Sequence, residues 1–244
     1  NVNWEDNYSW VHQSNILEVL RDSSKLIPQV RSYLEEENKY TEYHLKDTKD
    51  VQKELFNEIK GRIKLDDESL PYKDTHYEYW TKTTTKGNYS IKLRKKIGAN
   101  EIEEIWNGDK EKEKLGVEYF GIGDLEVSHN DKYLAYSLDI KGSEYFSIFI
   151  REIANNKIIS KEITDTSGSI LFSLDNKYIF YSKLDKNHRA RKIFRHEIGN
   201  FQNTDELIFE EKSDAFTVGI ALSSDEKYYF ISTSDHNTSE QYFF

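Results

Sequence analysis

Hydrophobic positions along the chain change period once, near residue 65. Before that point apolar residues recur at three- and four-residue steps. Ile16, Leu17, Val19 and Leu20 predict a short helix over 15–21, and Pro28 sits where a first-turn proline is tolerated. Val30, Tyr33, Leu34, Tyr40 and Leu45 predict a second helix of moderate amphipathicity. Val51, Leu55, Ile59 and Ile63, with Phe56 beside them, line one face of a third, which Asp47 or Thr48 can cap. Three helices on so thin an apolar stripe make a poor core, so the segment is expected to pack on something else.

Beyond the junction the pattern is strand-like and repeats. SHNDKYLAYS at 128–137, SLDNKYIFYS at 173–182 and SSDEKYYFIS at 223–232 share an opening Ser, a Lys-Tyr pair and a closing Ser. YKDTHYEYWT at 72–81 is a worn copy upstream. Each centre is rich in Asp and Asn, which bond their own backbone in turns and tolerate left-handed geometry. The aromatic and β-branched run that follows has bulky groups on both parities, as suits a strand buried on both faces. Leu125-Glu126-Val127, Ile170-Leu171-Phe172 and Ile220-Ala221-Leu222 supply a strand before each turn. Two further strands follow each phrase, for example Glu144–Ile150 and Ile158–Ile163. Four antiparallel strands in a unit of this length are the pattern of a β-propeller blade. The expected fold is mainly β: an incomplete propeller of about three and a half blades (71–114, 120–163, 166–211, 216–244) over residues 71–244, behind a helical arm over 1–70. Such a count predicts that the chain ends inside an unfinished propeller.

Charge and composition narrow the function. The net charge is −10, which disfavours nucleic acid as a partner, and no stretch approaches the ~20 apolar residues of a membrane helix. There is no Cys, hence no disulfide frame, thiolate metal site or Cys nucleophile; this fits a reducing, cytoplasmic location. The seven His show no paired ligand spacing and read as scattered surface or turn residues, so neither a metal nor a cofactor is expected. Lys186–Lys192 (KNHRARK) reads as a solvated connection between strands. Trp80 and Trp106 read as strand packing. Residues 65–71 mark the boundary through Asp66, Asp67, Glu68 and Pro71.

Longer stretches carry a resemblance. EDNYSWVHQSNILEVLRDSS (5–24), SYLEEENKYTE (32–42), the run from Leu55 to Lys96 and DTSGSILFSLDNKYIFYS (165–182) are similar to the amino-terminal part of the oligopeptidase B (protease II) branch of the prolyl oligopeptidase family of serine peptidases. The resemblance covers essentially the whole chain. It implies that residues 1–64 are an arm that packs on a C-terminal α/β-hydrolase domain of the same protein, that Trp10 helps dock this arm, and that a seven-bladed propeller caps the active site. It also implies cleavage of short peptides after Arg or Lys by a Ser-Asp-His triad, with 66–71 as a hinge between domains. No Gly-x-Ser-x-Gly elbow is present. Ser167-Gly168-Ser169 is the nearest look-alike and reads as a blade turn, so no catalytic residue is expected here. The alternatives are a non-catalytic propeller module that recruits a partner, and one half of a split peptidase.

Overall fold

The computed structural model describes residues 4–244, with the backbone alone at Lys161. The chain divides into two compact units, 1–67 and 68–244.

The first unit holds α1 (Ile16–Arg21), α2 (Pro28–Leu45) and α3 (Lys49–Gly61). Pro28 opens α2, where its missing N–H costs no hydrogen bond. Thr48 does not cap α3; its hydroxyl turns back to Leu45 O at 2.7 Å, because a single turn at 46–48 joins α2 and α3 almost without a break. Gln13 is the buried polar anchor of the unit: Ile27 N donates to its Oε1 at 2.8 Å. Trp10 meets Tyr33 edge to face at 5.3 Å. Leu34, Tyr40, Val51, Leu55, Phe56 and Ile59 are all exposed, and Val30 alone among the described apolar residues of this unit is buried.

The second unit is a set of antiparallel blades. Blade 1 follows β1 (Asp67–Glu68) and comprises β2 (Tyr72–Asp74), β3 (Tyr77–Thr83), β4 (Ile91–Lys96) and β5 (Ile102–Asn107). A helix that the periodicity does not announce, α4 (Gly108–Leu115), comes next. Asn107 caps it by accepting from Lys110 N, and Gly116 closes it at φ +64°. Blade 2 is β6 (Gly121–Val127), β7 (Tyr133–Asp139), β8 (Phe146–Glu152) and the first half of β9 (Lys157–Phe172). Blade 3 is the second half of β9 with β10 (Tyr178–Leu184), β11 (Ala190–Glu197) and β12 (Glu206–Glu210). The expected break between 163 and 166 is absent. β9 runs on as one strand, and Thr166 pairs with Phe146 of one blade and Lys183 of the next. Asp165 at φ +59° and Gly168 at φ +96° redirect it. A Cβ on Gly168 would stand 3.0 Å from the Phe146 ring. Ser167-Gly168-Ser169 therefore lies within a strand that passes between two sheets, not in a turn. The fourth blade has β13 (Thr217–Leu222), β14 (Tyr229–Ser234) and β15 (Ser239–Phe243), one strand more than the expected half blade. The sheets do not close, as in a partial propeller.

The repeated phrase is explained atom by atom. Ser173 Oγ donates to Asp175 Oδ1 at 2.6 Å and accepts from Tyr178 N at 3.0 Å. Ser128 and Ser223 do the same, with Asn130 and Asp225 as acceptors and Tyr133 N and Tyr228 N as donors. The fourth residue of each phrase is left-handed: Asp131 at φ +59°, Asn176 at +58°, Glu226 at +57°. The closing serines reach the next blade. Ser137 Oγ donates to Gly168 O at 2.6 Å and Ser182 Oγ to Val218 O at 3.2 Å. Between blades 2 and 3, Ala135, Ile148, Ile150, Ile163 and Ile179 form a fully buried cluster. Each of the isoleucine side chains contributes about 1.5–3 kcal/mol.

Two expectations need correction. His196 is no surface residue: it is wholly buried, with Nδ1 2.7 Å from Asp205 Oδ1. The basic run is not uniformly solvated either. Arg191 is largely covered, donates from Nη2 to Glu211 O at 2.8 Å and pairs with Asp214.

Ser173→Ala should lower unfolding free energy by about 1–2 kcal/mol, since it orphans Tyr178 N and frees the Asp175 carboxylate. Urea unfolding monitored by tryptophan fluorescence measures this. Asn176→Gly should cost about 1 kcal/mol through loss of the Asn130 N–Asn176 Oδ1 bond, and Asn176→Val clearly more, because it loses the same bond and also opposes a left-handed backbone.

Candidate functional site

The first strands of blades 2, 3 and 4, which are β6, the end of β9 and β13, are set side by side by bonds between blades. Asp124 Oδ2 accepts from Ile170 N at 3.0 Å, and the two closing serines fix Gly168 and Val218. At the end where strands two and three connect, these strands open into a cleft of about 570 Å³. Phe146, Leu184 and Val218 give it apolar surface; Ser167, Ser169 and Glu144 give it hydroxyls and a carboxylate. Asp139 also borders it, but its carboxylate is spent on the backbone N–H groups of Lys141, Gly142 and Glu144. That turn places Glu144, at φ +58°, on the rim. His188 stands against Tyr145 at 4.4 Å, edge to face, and its Nε2 is buried with no hydrogen-bond partner. The cleft thus sets apolar, hydroxyl and acidic surface side by side.

The inner wall between blades 1 and 2 carries charge. Glu126 on β6 lies among Asp124, Asp74 and Lys92. Its carboxyl is pushed up to about 7, chiefly by removal of surrounding water and then by the Asp124 charge, with Lys92 opposing and Asp74 adding to the rise. One face of Glu126 is open, but protein crowds the other sides, and this crowding governs its proton affinity. Lys92 is lowered chiefly by its own burial; its Nζ donates to Leu125 O at 3.4 Å.

One Ser–His–Asp relay does exist. Asp205 accepts from His196 Nδ1 and from Tyr181 OH (2.8 Å), while His196 Nε2 lies 3.4 Å from Ser160 Oγ. The bond order is that of a hydrolytic triad. Its setting is not: Ser160 is 1% exposed and its Oγ accepts from Gly199 N at 2.8 Å, so no substrate carbonyl can approach. The relay joins the outer strand of blade 2 to blade 3.

The junction residues Asp66, Asp67, Glu68 and Pro71 are all exposed. Asp67 pairs with Lys64 at 2.7 Å, and Glu68 with Lys82 at 3.0 Å. Ser69 N donates to Thr81 O at 2.9 Å, running beside β3. None of these residues belongs to the cleft. Glu144 and His188 escape sequence reading because nothing in their neighbours marks them. Glu126 has a readable signal, a charge set between the apolar Leu125 and Val127.

Comparison with known proteins places this geometry. Residues 1–244 match the family profile described as prolyl oligopeptidase, N-terminal beta-propeller domain. Dipeptidyl aminopeptidase BI of Pseudoxanthomonas mexicana is 28% identical, over 96% of this chain and 33% of its own length. Protease 2 of Moraxella lacunata is 26% identical, over 97% of this chain and 34% of its own. The structure of oligopeptidase B from Leishmania major superposes with a TM-score of 0.85 at 23% identity, covering 98% of this chain and 33% of that one. Oligopeptidase B from Trypanosoma brucei, with covalently bound antipain in a closed form, gives 0.82 at 25%, covering 98% and 32%. The chain thus spans about a third of the length of the relatives it matches.

Because the folded pKa of Glu126 is raised, the native state holds its proton more tightly than the unfolded chain does. This contribution is complete below the ordinary carboxylate range and is lost as pH rises through about 7. The urea midpoint should therefore fall between pH 5 and pH 8, by less in Glu126→Gln, in a pH series of denaturation curves.

Proposed function

From the premise that the chain belongs to the prolyl oligopeptidase family through its N-terminal β-propeller domain, we propose that it is the arm and gating propeller of an oligopeptidase B-like serine peptidase. The whole enzyme cleaves short peptides after Arg or Lys through an acyl-enzyme. The observation that carries this reading is the chain-long likeness to a protein named Protease 2, together with the oligopeptidase B fold.

Each part then has a role. The exposed apolar faces of α2 and α3 dock on the C-terminal α/β-hydrolase domain, with which the propeller packs in the full-length relatives. The propeller covers the active site, admits short unstructured peptides and excludes folded proteins. The cleft beside Glu144 faces the substrate, and the net charge of −10 favours approach of basic peptides. Asp66, Asp67, Glu68 and Pro71 form the hinge that lets the two domains part, with polar contacts that re-form in water at little cost. No described helix is long and apolar enough to cross a membrane. With no Cys in the chain, we place the enzyme in the cytoplasm.

A second reading has its own support. The relative with 28% identity is named a dipeptidyl aminopeptidase, which points to release of dipeptides from the amino terminus instead of internal cleavage.

The purified 244-residue chain should not turn over a chromogenic arginyl peptide; measurable hydrolysis would overturn the proposal. The polypeptide that joins this chain to a hydrolase domain should cleave blocked arginyl and lysyl peptides and spare blocked alanyl ones. Activity confined to peptides with a free amino terminus would select the second reading.

A further inference from the structure

The seams between blades are not alike. Blades 2 and 3 share a strand, since β9 passes through both sheets. Further bonds join them along their whole depth. Ser137 Oγ donates to Gly168 O, Asn130 N to Asn176 Oδ1 at 2.9 Å, and Gln202 Nε2 to Thr164 O at 2.9 Å. The Ser160–His196–Asp205 relay lies under the same seam. Separating these blades would require breaking a continuous strand.

The seam between blades 1 and 2 is built otherwise. No strand crosses it; the covalent link is residues 108–120, which include all of α4. The polar bonds seen across it are made by ionisable side chains. Asp131 is the hub: Tyr79 OH donates to its Oδ1 at 2.7 Å, His76 Nδ1 meets its Oδ2 at 2.9 Å, and Arg94 Nη1 donates to its backbone oxygen at 2.6 Å. Arg151 of blade 2 reaches Ile105 O of β5 at 2.7 Å and pairs with Glu111 of α4. Lys92 adds its bond to Leu125 O. A cleft of about 450 Å³ already separates His76, Tyr77 and Lys96 from Lys132 and Glu152 at one end of the seam. An apolar cluster of Trp106, Tyr136, Leu134 and Phe120 closes the middle.

We propose that the seam between blades 1 and 2 is the compliant joint of this propeller, hinged on the long α4 connection and held shut by the Asp131 hub, while blades 2 and 3 move as one rigid body. Bonds made by ionisable side chains can be exchanged for bonds to water when the seam parts; a shared strand has no such alternative. The inference concerns the mechanics of the propeller and does not depend on what the enzyme cleaves.

Absence of Cys makes the test direct. Spin labels on Lys96→Cys with Lys132→Cys span the seam between blades 1 and 2; labels on Lys132→Cys with Lys177→Cys span that between blades 2 and 3. All three lysines are exposed. Pulsed electron–electron resonance on the purified chain should give a broader distance distribution for the first pair than for the second. Asp131→Asn should broaden the first and leave the second unchanged. Equal widths in the parent chain, or equal broadening of both pairs by Asp131→Asn, would overturn the proposal. The comparison within the parent chain stands even where that substitution impairs folding.

Discussion

A serine hydroxyl that donates and accepts within one turn is the interaction on which the propeller rests. A non-glycine residue in left-handed geometry costs roughly 1–2 kcal/mol, and Asp131, Asn176 and Glu226 all adopt it. In each phrase the opening serine offsets that cost by tying the turn's acidic or amide side chain to the backbone N–H of the next strand. The turn then sets the register of the strand that follows, and a one-residue slip would send every side chain to the wrong face. Register in turn brings Ser137 and Ser182, at the far ends of those strands, within reach of the next blade. The same hydroxyl chemistry therefore serves twice, first within a blade and then between blades.

Buried polar groups in this molecule act as fasteners. Ser137, Asp139, Thr166, Ser182 and His196 are all buried, and each has a hydrogen-bond partner in backbone or side chain. The Ser160–His196–Asp205 relay shows the principle most clearly. A triad is defined by bond order together with access, and here the access is missing. The groups that line the open cleft are of another kind: a rim carboxylate at Glu144, serine hydroxyls at 167 and 169, and the half-buried Phe146 ring.

Legibility followed range of interaction. The helix of Val51, Leu55 and Ile59, the turn of Ser173 and Asp175 and the doubly buried strand of Tyr178–Tyr181 were all readable, because each depends on residues a few positions apart. α4 was less so: Asn107 caps it and Gly116 ends it, but its residues between are almost all charged, with no apolar period to see. The passage of β9 from one sheet to the next was hidden for a different reason. Asp165 and Gly168 look like turn residues, and only the packing of Phe146 against Gly168 makes them bends in a strand. His196 looked like a surface histidine until the fold brought Asp205 and Ser160 to either side of it.

The sequence by itself determined the blade: its period, its turns, its buried strands and the change from helix to strand near residue 65. These follow from local hydrogen bonding and side-chain alternation, which neighbouring residues specify. Tertiary structure alone decided how blades meet: a shared strand at one seam, a hub of ionisable groups at another, a cleft where inner strands end, and a raised proton affinity at Glu126. Those depend on residues many positions apart, such as Tyr79 with Asp131, whose encounter no local pattern encodes.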